Sequence, residues 1–192
     1  MSPPLATEAL QTLVSKAKSR QALGADLPAD DFVRSLQAER PQMYRNHNER
    51  LNIDFTVERL GFAEQQTMDP RVVRIAPQRN NELHKHAHES LFVVLEGEGE
   101  VRLGEAWRTV RAGDFVFVPR WIFHQTRNTS ARNELVVLAV TDFGFTSAIL
   151  GDYDKRTRLS QSGDQASSDT VTLITSPPKP PKRSFFSWLF GT

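Results

Sequence analysis

The sequence predicts an all-β fold built as one small barrel, and three observations carry that expectation. From Ile53 to about Val140 the apolar residues recur with a period of two. Short apolar runs are punctuated by glycine and proline, and the runs recur at the roughly 8–12-residue spacing typical of antiparallel sandwiches and barrels. Ile53, Phe55 and Val57 alternate with Asp54, Thr56 and Glu58. They are followed by Val72-Val73-Arg74-Ile75, Leu91 to Leu95, Phe115 to Val118 and Leu135 to Leu138, with Gly97, Gly99, Gly104 and Gly113 in the gaps. Nothing alternates strand with helix as a parallel sheet would. The chain has 192 residues and no internal repeat, which suits one domain with tails.

The flanks read differently. From Leu5 to Leu36 the spacing is helical, with Leu5, Ala9, Leu13 and Ala17 on one stripe widened by Leu10 and Val14. A second short helix is expected from Asp30 or Asp31, carrying Phe32, Val33 and Leu36. Residues 1–50 are therefore read as a helical segment that packs outside the barrel or at a dimer contact, 51–155 as the barrel and 156–192 as a flexible, disordered tail. Asp142 to Tyr153 reads as a short helix closing one mouth of the barrel, with Asp142, Asp152 and Asp154 as surface carboxylates. The run Glu96-Gly97-Glu98-Gly99-Glu100 reads as a hairpin turn with solvated glutamates. The tail carries a basic Pro-rich spacer, Ser176 to Arg183, and ends in Phe185, Phe186, Trp188, Leu189 and Phe190. Five large apolar side chains there suggest weak docking to a partner or a membrane interface.

Composition narrows the chemistry. The 24 basic and 23 acidic residues nearly cancel, so no global field argues for nucleic acid. Cysteine is absent, which removes disulfides, thiolate ligands and cysteine nucleophiles and fits a reducing compartment. Any metal must then be held by histidine nitrogen or carboxylate oxygen. The N-terminus lacks the apolar core of a signal peptide, and no run of about 18 apolar residues offers a spanning helix. The expectation is a cytoplasmic protein, peripheral to a membrane only if the tail docks there.

Three of the five histidines are His84, His86 and His88, at the entrance to the apolar run from Leu91. Residues two apart in a strand share a face, so His84 and His86 point the same way and can grip one ion. His124 follows Phe115 to Pro119, where another strand closes, and pairing those strands brings it near. His88 shares the parity of the pair and is a candidate further ligand.

These residues resemble the two motifs of the cupin superfamily. The first, H-x-H, three residues, E, six residues, G, maps onto His84, His86, position 90 and Gly97. The second, G, five residues, P-x-G, two residues, H, three residues, N, maps onto Gly113, Pro119, position 121, His124 and Asn128. The resemblance implies a cupin barrel (a jelly-roll, or double-stranded β-helix), a metal on His84, His86 and His124, and a homodimer. Two positions depart from it: Ser90 replaces the glutamate ligand and Trp121 replaces the motif's glycine. With these departures the segment from His84 to Asn128 resembles the metal barrel of gentisate-type ring-cleaving dioxygenases. They use three histidines and no glutamate, but are normally two-barrel chains.

That likeness implies Fe(II), O2 and a chelating aromatic anion, with Mn(II), Ni(II) or Zn(II) as alternative metals. A non-catalytic ligand-binding module and a redox-inert metal isomerase or hydrolase stay open beside it. Asn128, Gln125 and Thr126, and Ser90 as a substitute near the metal, are expected to support the ligands. Trp121 and Phe123 would wall an aromatic pocket, and Arg74 and Arg120 are the candidate partners of a substrate carboxylate.

Overall fold

The computed structural model describes residues 3–22, 29–62, 65 and 67–150. The tail from 156 onward and its aromatic cluster Phe185, Phe186, Trp188, Leu189 and Phe190 lie outside the described residues. Helix α1 spans Pro3–Ala22. The second expected helix is only a four-residue 3-10 turn, Ala29–Phe32, after which Val33 stands exposed. Strand β1, Gln42–Asn48, lies inside the stretch read as helical. Its sequence Gln-Met-Tyr-Arg-Asn-His-Asn has almost no apolar alternation, because β1 is an edge strand paired on one side only.

The remaining strands are β2 (Ile53–Arg59), β3 (Asp69–Ile75), β4 (Ser90–Glu96), β5 (Glu98–Leu103), β6 (Ala106–Arg111), β7 (Phe115–Val118), β8 (His124–Asn128) and β9 (Leu135–Thr141). They form a six-stranded sheet in the order β1-β2-β3-β9-β4-β7 and a three-stranded sheet in the order β6-β5-β8. Every strand pairing is antiparallel. Helix α2, Phe143–Leu150, follows β9 directly and packs against α1.

Alternation does what the sequence implies. Ile53, Phe55 and Val57 are buried while Asp54, Thr56 and Glu58 on the opposite face are only partly covered. Together with Ile75, Val94, Val101, Val118, Leu135 and Val137 they form one core between the sheets. The turn at Gly97 is not a hairpin, since β4 pairs with β7 and β9 whereas β5 pairs with β6 and β8. It is the crossing from one sheet to the other. Gly97 has a φ of 83°, and a Cβ there would stand 2.5 Å from the Glu134 carbonyl oxygen, so both backbone conformation and space require glycine.

Ile75 and Leu135 are fully buried at the centre of this core. Truncation of Ile75 to alanine is expected to cost about 2–5 kcal/mol. Urea unfolding should show a lowered midpoint with an unchanged slope.

Candidate metal centre

The histidines meet where an isolated bridge joins His84, in the segment before β4, to His124 at the start of β8. His84 and His124 exchange two backbone hydrogen bonds, at 3.1 and 2.9 Å. This pairing sets their rings 4.2 Å apart, and the His86 ring lies 5.4 Å from His84 and 4.6 Å from His124. One ligand nitrogen from each of the three lies within 4.8 Å of the others. Strand parity is not the cause. His84 makes only that bridge and His86 lies in the loop before β4, so loop shape brings them together.

Each ring is held by its other nitrogen. Nδ1 of His84 donates to the Glu82 carbonyl, Nδ1 of His86 to that of His88 and Nδ1 of His124 to that of Ile122, each at 2.9 Å. A carbonyl can only accept, so each Nδ1 carries the proton in the neutral ring and Nε2 carries the lone pair. Backbone acceptors behind metal-binding imidazoles fix tautomer and orientation in this way. The donor set therefore fits a divalent ion that accepts imidazole nitrogen.

The loop carrying His86 is gripped along its length. Trp121 N–H donates to the His86 carbonyl at 2.8 Å, Arg120 Nη1 to that of Ala87 at 2.8 Å, and Glu89 N–H to Asp142 Oδ1 at 2.9 Å. Arg120 and Asp142 close the clamp with an ion pair at 2.5 Å. The hydrogen bond to Asp142 raises the Arg120 pKa, against burial and with help from the Asp142 and Glu89 charges. Burial pushes the Asp142 carboxyl up. The hydrogen bonds from Arg120 and the Glu89 backbone, with the Arg120 and His88 charges, outweigh it and hold the carboxyl below its ordinary range. Asp142 is thus a bridging carboxylate and not the surface residue expected.

The cavity in front of the histidines is lined on its apolar side by Phe55, Val57, Ile75, Phe92 and Val137. Ser90, at the motif's glutamate position, is buried on its wall. His88 also lines it, but stacks on His86 with centroids 3.5 Å apart and planes 12° from parallel, beside the three converging nitrogens and outside their group.

Other expected site residues go elsewhere. Trp121 and Phe123 do not line the cavity. Trp121 is exposed with a φ of 63°, the left-handed conformation that explains the motif's glycine, and Phe123 carries the Lys85 ammonium 4.7 Å above its ring. Arg74 faces away from the cavity and pairs with Glu58 at 3.2 Å and Glu134 at 3.5 Å, while Arg120 is spent in the clamp. Gln125 donates to the Asn81 carbonyl at 2.9 Å from the outward face of β8. Asn128 shares the inward parity of His124 but bonds the carbonyls of Ile75, Ala76 and Asn133, closing a turn away from the histidines. Thr126, expected near the ligands, does line the cavity, whereas the sequence reading missed Tyr44, Arg71, Asn81, Glu82 and Thr141 on its wall. Period two could have placed Arg71 with Val73 and Ile75, but adjacent valines at 72 and 73 hid which face was inward.

The architecture defines a β-barrel with a histidine-lined cavity between two antiparallel sheets. Residues 71–141 match the family described as Cupin domain. A stretch of 56 residues is 38% identical to an uncharacterized protein of Aquifex aeolicus (strain VF5) and covers 29% of this chain. The match spans 46% of that relative, less than half its length. Among solved structures, the fold is similar to a putative sugar phosphate isomerase from Acidithiobacillus ferrooxidans, with TM-score 0.50 and 22% identity over 59% of this chain and 76% of that one. It is also similar to a cupin-2 domain protein from Rhodospirillum rubrum, with TM-score 0.49 and 22% identity over 57% and 77% of the two chains. A salicylate 1,2-dioxygenase from Pseudaminobacter salicylatoxidans aligns with TM-score 0.46 and 17% identity over 50% of this chain and 28% of that one. At these identities the likeness shows the fold alone. No helix among the described residues is long and apolar enough to cross a membrane.

The clamp has a pH signature. Asp142 has a folded pKa below that of an unfolded aspartate, so its contribution is complete above pH of about 4 and is lost as pH falls through the lowered value. Asp142→Asn is expected to be less stable than wild type near neutral pH, with the deficit shrinking in acid. Urea unfolding of both proteins across that range measures it.

Proposed function

We propose that the barrel is a mononuclear metal centre held by His84, His86 and His124, and that with Fe(II) it acts as a dioxygenase on a small anion of the aromatic hydroxy-carboxylate class. The observation that carries the metal reading is the arrangement of the imidazoles. All three commit Nδ1 to a backbone carbonyl, and their ligand nitrogens lie within one ion's reach. When bound, the metal would supply Lewis-acid anchoring of a chelating ligand and, as Fe(II), redox chemistry toward O2.

The chain's own residues set the rest. Three neutral donors and a serine in place of the motif's glutamate leave the ion's charge uncompensated, which favours an anionic chelating ligand. The Phe92 ring, 6.0 Å from His124, and the apolar wall behind it exclude water and suit a flat apolar body. The His84–His124 bridge and the Arg120–Asp142 clamp hold the donors still as ligand enters.

The test is elemental analysis of anaerobically purified protein beside His86→Ala and His124→Ala. Near-stoichiometric metal in wild type, lost by at least tenfold in both variants, is expected. Iron together with O2 uptake on an aromatic hydroxy acid supports the dioxygenase. Metal without turnover leaves a ligand-binding cupin, and no metal after reconstitution with Fe(II), Mn(II), Ni(II) and Zn(II) overturns the reading.

A further inference from the structure

Arg71 and Ser90 give the cavity a second polar feature, separate from the histidines. The register across β3, β9 and β4 sets Asp69, Thr141 and Ser90 in one row, and Arg71, Ala139 and Phe92 in the row alongside. Asp69 and Ser90 are thus separated by one strand, about 10 Å at the backbone. The Arg71 guanidinium is drawn back along its strand, with Nε at 3.0 Å and Nη2 at 2.6 Å from Asp69 Oδ2. It therefore stands across β9 from Ser90, with Phe143 packed 5.0 Å from its Cζ.

Two donors on this wall are left over. Arg71 Nη1 makes no hydrogen bond among the described residues, since the bonds to Asp69 use Nε and Nη2. Ser90 is 1% exposed, and its Oγ has no hydrogen-bond partner among the described residues. Burial of such a hydroxyl is unfavourable unless a hydrogen-bond partner in the cavity meets it, and a ligand oxygen can do so. Charge points the same way. Asp69 also pairs with Arg59 at 3.3 Å, so at this end of the wall one carboxylate faces two guanidinium groups, while the Glu82 carboxylate on the cavity lining accepts from Asn46.

We infer that Arg71 Nη1 and Ser90 Oγ form a subsite for a carboxylate of the ligand distinct from the group that chelates the metal. The substrate class narrows to small hydroxy acids that carry a second anionic group. This rests on the metal reading above, which supplies the chelating end. Arg71, and not Arg74 or Arg120, is then the residue that selects for charge. Arg71 is fixed before ligand arrives, by Asp69 on one side and Phe143 on the other, so little side-chain freedom is lost on binding.

The experiment uses the full chain reconstituted with Co(II), whose visible spectrum reports ligand binding without turnover. Two pairs of probes are titrated: malate against lactate, and hydroxyterephthalate against salicylate. In each pair the first member adds one carboxylate. Wild type is expected to bind the dicarboxylate of at least one pair about tenfold more tightly than its partner. Arg71→Gln should abolish that preference while cobalt stoichiometry and the affinity for the monocarboxylate stay as in wild type. Ser90→Ala, a small truncation, should reduce it severalfold. The double variant Asp69→Asn/Arg71→Gln removes the ion pair together and guards against a defect caused by leaving Asp69 underpaired. Absence of preference in both pairs, or a preference that survives Arg71→Gln and the double variant, overturns the subsite while leaving the metal reading intact. Failure to bind cobalt, or a spectrum that none of the four acids perturbs, overturns the metal reading and the subsite with it.

Discussion

The hydrogen bond from each histidine Nδ1 to a backbone carbonyl is the constraint on which the site depends. It decides the tautomer, and through the tautomer it decides which nitrogen faces the cavity. A carbonyl can serve as such an anchor only if its own peptide is immobile. For Ile122 and Glu82 that rigidity comes from the bridge between His84 and His124, which ties the segment before β4 to β8. For His88 it comes from outside the strands, through Arg120 on the Ala87 carbonyl and Asp142 on the Glu89 amide.

This wiring explains why residues around the second histidine motif matter although few of them touch the cavity. Arg120 and Trp121 both spend hydrogen bonds on the loop that carries His86. Trp121 does so through its backbone, in a left-handed conformation that most side chains avoid, with its indole turned to the surface. Phe143, the first residue of α2, lies 5.4 Å edge-on to His88, which stacks on His86, and also covers Arg71. The same residue therefore braces the metal side and the charged side of the cavity.

The cavity itself lies between the two sheets. Inward residues of β2, β3, β4 and β9 line it from the larger sheet, and His124 and Thr126 of β8 line it from the smaller one. There the inward residues change from packed aliphatics to a mixed wall containing Arg71, Ser90 and Thr141. A buried arginine is tolerated because it is paired with an equally buried aspartate.

Period-two alternation and glycine spacing were enough to predict an antiparallel barrel, and the two histidine motifs were enough to group His84, His86 and His124, although loop shape and not strand parity brings the first two together. The edge strand β1 was not legible, since a strand paired on one side needs no apolar alternation. The partners of the arginines were not legible either. Arg71, Arg74 and Arg120 are equivalent as residue types, and only the folded sheet, by register and face, turned Arg71 inward and spent the others on Glu58 and Asp142. The sequence by itself determined the fold and the three histidines. The tertiary structure decided what immobilises the carbonyls behind the rings and which charge faces the cavity, because the His84–His124 bridge, the Arg120–Asp142 clamp and the sheet register join residues far apart in the chain.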